Sequence, residues 1–327
     1  MNEDFKKRSE SVLHAVKVLS ENEPGVIFLG GSAIQKILPK PKRLSIDLDV
    51  AYAGKQEKLV EILRKAGYSV AERKTGFPDF SYYLVSREDA KIKLDIGKFS
   101  VPDTNSLKIG GVPVRIPVCS YFLASKLSCL ASGTIGRRFE EPFQTIKDIF
   151  DINCLLDLRE KIDGMEPNWK QIISDQNRIR KENFQENQCL NSIQKKLFSC
   201  IPTSEPFNIS KHEFGSFQDT LLEGKISRTD FSEMSARALL LSSYMGNEFY
   251  AMEKKAAGEA ADRKKLADAE TFLRRKIGMT GIDEAQLYSI KVNAPRSLMY
   301  LKHWAENPRR DNPATTRTPG VFSAKYS

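Results

Sequence analysis

Two aspartates one residue apart, Asp47 and Asp49, are the pair in this sequence most suited to chemistry. They lie in the stretch Arg43-Leu44-Ser45-Ile46-Asp47-Leu48-Asp49, which alternates as a strand, so both carboxylates leave the same face. Converging acids repel unless a cation neutralises them, and magnesium prefers a few carboxylates completed by substrate phosphates. Fifteen residues before Asp47 stands Ser32, ending Gly30-Gly31-Ser32, where a short apolar strand turns into a helix. Backbone N–H groups and a hydroxyl at such a turn suit an anion. A third acid, Asp95, lies in Lys91-Ile92-Lys93-Leu94-Asp95-Ile96, and joins the first two if its strand is their neighbour. Lys126 and Asp148 fall in two later helical segments and can meet across packed helices, facing phosphate and acceptor; Asp151 shares the face of Asp148.

The elements that must position these groups follow from periodicity. An amphipathic helix over Phe5 to Ser20 precedes a short buried strand at Val26 to Leu29. A strand over Leu44 to Tyr52, a helix over Gln56 to Ala66, and strands over Phe80 to Val85, Lys91 to Ile96 and Val112 to Val118 come next. Helices over Ser120 to Ser132 and Pro142 to Leu158 close this part. The expected fold is therefore α/β, a mixed sheet with flanking helices over residues 1–160. Residues 161–306 carry helical periodicity and almost no strand signal. Residues 307–327, rich in Pro, Thr, Arg and Asn, read as a flexible basic tail.

Composition narrows the function classes. Five cysteines without a C-x-x-C pair and three scattered histidines argue against a disulfide scaffold, structural zinc, zinc hydrolysis and haem. No G-x-S-x-G and no Walker-type G-x-x-x-x-G-K-[ST] occurs, which disfavours serine hydrolases and P-loop NTPases. No apolar run reaches the ~18 residues of a membrane span, mean hydropathy is −0.41, and the N-terminus is polar, so the expectation is a soluble cytoplasmic protein with no membrane partner. The net charge of +9 favours a polyanionic partner. Arg263, Lys264, Lys265, Arg274, Arg275, Lys276, Arg309 and Arg310 are the basic candidates for it.

In order, G-G-S, R-x-S-x-D-x-D, K-x-D, a helical Lys and K-D-x-x-D resemble the AbiEii-type (MenT-like) nucleotidyltransferase toxins of type IV toxin–antitoxin and abortive-infection systems, within the DNA polymerase β-like superfamily. The resemblance covers about residues 25 to 158. It implies a polymerase β-like sheet and a helical C-terminal part that walls the cleft. It implies nucleotide-phosphate binding at Gly30, Gly31 and Ser32, and a two-metal Mg²⁺ site at Asp47, Asp49 and Asp95. Ser45 matches a position that receives a nucleotide or phosphate in some relatives, Lys126 the helical Lys, and Asp148 the following essential acid, with Asp151 beside it. Lys147 departs from the Arg usual before that Asp, keeping charge but losing the fork; Ser32 stands where Thr is often seen. The implied activity is transfer of a nucleoside monophosphate from an NTP to an acceptor with release of pyrophosphate. Basic charge favours an RNA acceptor, the family suggests tRNA, and a protein acceptor stays open. A cognate antitoxin is the implied protein partner. Two alternatives stand beside this: a small-molecule nucleotidyltransferase similar to aminoglycoside-modifying enzymes, and a catalytically inactive nucleotide- or RNA-binding protein.

Overall fold

The structure, a computed structural model, describes residues 3–73, 77, 79–137, 141–201, 209–276 and 283–307. Seven strands form one mixed sheet in the order β3-β4-β5-β2-β1-β7-β6. They are β1 Ile27–Leu29, β2 Asp47–Ala51, β3 Ser69–Arg73, β4 Phe80–Arg87, β5 Ala90–Gly97, β6 Thr104–Ile109 and β7 Val112–Pro117. Strands β2 and β5 run parallel, as do β1 and β7; the other neighbours are antiparallel.

Alternation assigns the two faces of the sheet. Leu48, Val50, Ile92, Leu94 and Ile96 are buried, while Asp47, Asp49, Lys93 and Asp95 take the opposite positions of the pleat. The apolar face is covered by α1 (Glu3–Asn22) and α3 (Gln56–Lys65). Helix α1 turns Val12, Ala15, Val16 and Leu19 inward, the stripe its periodicity predicts. Helix α2 (Gly30–Ile37) follows β1 directly, while α4 (Cys119–Cys129) and α5 (Pro142–Asp157) follow β7.

The remaining described elements are helical: α6 (Met165–Arg180), α7 (Glu186–Cys200), α8 (Lys211–Gln218), α9 (Arg228–Ser243), α10 (Glu248–Glu259), α11 (Arg263–Arg274), α12 (Glu284–Asn293) and α13 (Pro295–Glu306). Capping boxes start four of them: Gln185 with Gln188, Ser210 with Glu213, Ser227 with Asp230, and Asp283 with Gln286. Each pair satisfies two backbone N–H groups that a helix start leaves open. One continuous buried core joins Val12 of α1 to Trp304 of α13.

Three departures from the sequence reading have physical causes. The strand expected over Leu44 to Tyr52 begins only at Asp47, because the chain before it pairs elsewhere. Leu44 N donates to Thr220 O (2.8 Å), Leu222 N donates to Lys42 O (3.0 Å), and Arg43 bridges Leu221. Strand β3 went unread because it is polar and mostly exposed, an edge strand held by its pairing with β4 rather than by an apolar face. Strand β6, at the other edge, is likewise polar along most of its length.

Candidate active site

Register brings the strand acids together. Asp49 lies opposite Leu29 of β1 on one side and opposite Asp95 of β5 on the other; Asp47 lies opposite Lys93. Among the described residues, none of the three carboxylates makes an ion pair or a side-chain hydrogen bond. Burial, then the charge of Asp47, pushes Asp49 up to about 6. Burial, then Asp49 and Asp47, pushes Asp95 up to about 8. Like charges held close and partly dehydrated resist ionising together. This is an acid cluster in want of a cation. Among the described residues no three His, Cys, Asp or Glu side chains close on one point as a ready metal cage. The donor set fits a hard divalent ion that takes its remaining oxygens from phosphate and water.

The glycine turn is shaped by these acids. Gly30 has φ +72°, and a Cβ there would stand 1.7 Å from Asp49 Oδ2. A Cβ on Gly31 would meet Arg43 Nη2 at 2.5 Å. Both positions exclude side chains because functional groups already occupy the space. Ser32 is turned inward: its Oγ donates to Asp47 O at 2.6 Å, fastening α2 to β2. Gly30, Gly31 and Ser45 line the cavity over the acids, and Ser32 is absent from that lining.

On the helical side the carboxylates are saturated. Lys126 Nζ lies 2.9 Å from Asp148 Oδ1 and 2.9 Å from Asp151 Oδ2. Arg137 also pairs with Asp148. Arg43, 1% exposed, grips Asp151 with both arms, Nε to Oδ1 at 2.8 Å and Nη2 to Oδ2 at 2.6 Å. Gln35 completes the network: its Nε2 donates to Asp151, and its Oε1 accepts from the backbone N–H groups of Lys42 and Arg43. Burial alone would raise both aspartates, but their cations prevail. Lys126 and Arg137 hold Asp148 below the usual range, while Arg43 and Lys126 bring Asp151 to about 2.

Lys126 and Asp148 thus meet as the sequence suggests, but Lys126 is shared with Asp151. The Arg43–Asp151 fork was not read from sequence. Arg43 sits inside the R-x-S-x-D-x-D stretch, yet its partner is 108 positions away, and no local spacing signals such a pair.

A cavity of about 440 Å³ lies over the strand acids. Lys126, Arg137, Gln144, Lys147 and Asp148 line it from α4, α5 and the segment between them, and Phe80, Lys93, Phe99, Ile172, Asp175 and Gln176 from β4, β5, the segment after β5 and α6. Lys147 stands over the Phe143 ring at 5.5 Å and, like Lys93, has no carboxylate within ion-pairing distance among the described residues. Burial, then the nearby charge of Arg43, lowers Lys147 to about 8. A second cavity of about 520 Å³, walled by α7 and the end of α9, has amides, serines and two glutamates but no lysine or arginine in its lining. It is poorly suited to a triphosphate.

The basic surface is less uniform than the sequence implies. Arg274 is paired with Glu270 and Glu284, while Arg309 and Arg310 lie outside the described residues. No described helix is long and apolar enough to cross a membrane.

Comparison with known proteins places these motifs in context. Residues 12–239 match the model of the family described as "Nucleotidyl transferase AbiEii toxin, Type IV TA system". No curated protein matches the chain. Among solved structures, an antigenic nucleotidyltransferase-like protein from Paracoccidioides brasiliensis is similar at 14% identity and TM-score 0.36, over 53% of this chain and 89% of that one. The antibiotic-resistance factor ANT(2″)-Ia, solved in complex with adenylyl-2″-tobramycin, is similar at 15% identity and TM-score 0.36, over 51% of this chain and 97% of that one.

Proposed function

Since this chain belongs to the AbiEii nucleotidyltransferase toxin family, we propose that it transfers a nucleoside monophosphate from an NTP to an RNA acceptor, a tRNA by family precedent, using Mg²⁺. The observation that carries this reading is the pairing, in one cavity, of three strand acids with two lysines, none of them ion-paired among the described residues. Asp47 and Asp49 would hold the metal, with Asp95 adjoining on β5. Bound there, magnesium would neutralise the triphosphate and the departing pyrophosphate.

The chain's own groups divide the remaining work. Backbone N–H groups of Gly30 and Gly31 face the phosphates from the start of α2, where the helix dipole favours negative charge. Lys147 and Lys93 supply positive charge that is not ion-paired among the described residues. Lys126 holds α4 to α5 through Asp148 and Asp151, and reaches a phosphate only by exchanging one of those partners. Ser45 stands at the cavity beside Gly31. The net charge of +9 supports a polyanionic acceptor. Family membership supports a role as the toxin of a toxin–antitoxin pair, with a cognate antitoxin as protein partner.

The test is incubation of the protein with each of the four labelled NTPs, Mg²⁺ and total RNA. Label should be retained on RNA with at least one NTP, and Asp47→Asn should abolish it. Label that appears only on protein or on a small-molecule acceptor would overturn the RNA assignment.

A further inference from the structure

On β5 the pleat puts Lys93, Asp95 and Gly97 on one face. Gly97 carries no side chain there because an aromatic ring covers it: a Cβ would stand 2.1 Å from Phe99 Cε2. Phe80 lies directly opposite Gly97 across the β4–β5 ladder, so it leaves the same face. The two rings sit 6.4 Å apart at 52°, half-buried, and both line the cavity. From the rise of a strand, Gly97 lies roughly 7 Å along from Asp95.

The backbone holding these rings is clamped from outside the sheet. Arg178 of α6 donates through Nη2 to Lys98 O at 2.6 Å and also pairs with Asp79. Lys98 Nζ lies 3.2 Å from Asp79 Oδ1. On the far side of Phe99, Ser100 N donates to Asp175 Oδ2 at 2.7 Å. Helix α6 therefore fixes the residue before Phe80 and both neighbours of Phe99, and its Gln176 enters the same wall.

We infer that Phe80 and Phe99 form a stacking platform for an unpaired nucleobase at the reactive end of the RNA acceptor. This rests on the RNA-transferase reading above. The Phe99 ring, partly buried at the cavity beside a charged centre with Phe80 tilted against it, offers a π-face that any base can cover, and Gln176 adds an amide for a base edge. Sheet order assigns the platform to the acceptor rather than the donor. The glycine turn lies on the β1 side of Asp49, and the rings lie on the β5–β4 side. A triphosphate seated at the turn leaves the ring side to the incoming hydroxyl. A polycationic acceptor fits this wall poorly, since Lys93 is exposed there and Asp175 is already engaged.

The test is fluorescence anisotropy with a labelled single-stranded oligoribonucleotide of about eight residues, within the span of single-strand sites, and the same strand lacking its 3′-terminal base. With Mg²⁺ present, the wild-type protein should bind the intact strand about tenfold more tightly than the abasic one, the size of one base–aromatic stack. Phe99→Ala should bind both strands equally. Phe99→Leu, which still covers Gly97, should lose the preference while melting like wild type, and Phe99→Tyr should keep it. NTP affinity should stay unchanged throughout. A preference that survives Phe99→Ala and Phe99→Leu would overturn the platform, even in a protein that transfers label to RNA. Loss of NTP affinity with RNA affinity intact would also overturn it, giving the rings to the donor base. Wild-type protein that binds these strands without the preference, and labels no RNA, would remove the transferase reading and the acceptor assignment together.

Discussion

The carboxylates on the sheet and those on α5 border one cavity, yet their electrostatics are opposite. Asp49 and Asp95 are raised to about 6 and about 8, with no cation paired to them among the described residues. Asp148 and Asp151 are lowered, with Lys126, Arg137 and Arg43 bound directly to them. The first group stores repulsion that a ligand can relieve. The second is already neutralised and fastens α2, α4, α5 and the Arg43 segment together. Loss of a sheet acid should therefore be felt in chemistry, and loss of a helix acid in folding.

The largest expected effect tests the first half of that contrast. Asp47→Asn should lower transfer on the order of 10⁴-fold, the scale of a lost metal ligand, while the melting temperature holds or rises because repulsion falls. Retained transfer, or a steep drop in melting temperature, would erase the distinction. Asp151→Ala tests the second half. It leaves Arg43 buried without its fork and should cost about 3–5 kcal/mol in urea unfolding, the usual result of breaking a buried pair from one side. Unchanged unfolding would show the network to be ornamental.

A pH series sharpens the comparison. Raised sheet acids keep their protons in the folded state at pH values where the unfolded chain has lost them. Without metal, stability should therefore fall as pH climbs from about 4 to about 8. Lys147, lowered to about 8, acts in the other direction above that point, so the minimum should lie near pH 8. Urea unfolding in EDTA at several pH values would show the decline, and Mg²⁺ or Asp95→Asn should flatten it. A flat metal-free profile would mean that the acids are not coupled. The smallest effect belongs to Ser32→Ala, which removes the hydrogen bond to Asp47 O. It should cost about 1 kcal/mol of stability and leave NTP affinity nearly unchanged; a clear loss of NTP affinity in titration calorimetry would place the hydroxyl on the ligand.

Much of the sheet group was legible because a strand's geometry is local. Residues two apart share a face, so Asp47 with Asp49, and Lys93 with Asp95, could be grouped before any register was known. That β5 lies beside β2 was only a condition in the sequence, and the parallel pairing supplies it. The helix group was legible in part. Lys126 and Asp148 stand out in their segments, but the Arg43–Asp151 fork and the engagement of Gln35 depend on chain paths that cross more than a hundred positions. Ser32 shows a different limit. Its spacing from Asp47 is visible in the sequence, but the direction of its hydroxyl is set by the packing of α2 on β2. Phe80 and Phe99 gave no signal at all, since partly buried aromatics resemble ordinary core until Gly97 is seen beneath one of them.

Gly30 carries a consequence for how such a gene is lost. With φ +72° and an Asp49 oxygen 1.7 Å from where a Cβ would stand, every substitution there displaces the acid from its place. On the toxin role proposed above, a host under pressure to silence this protein would not have to strike a carboxylate. Any missense change in one glycine codon should suffice, and it would leave the acids, the lysines and the fold intact to sequence inspection. Inactive copies carrying every recognisable motif but this one are the expected debris of that selection.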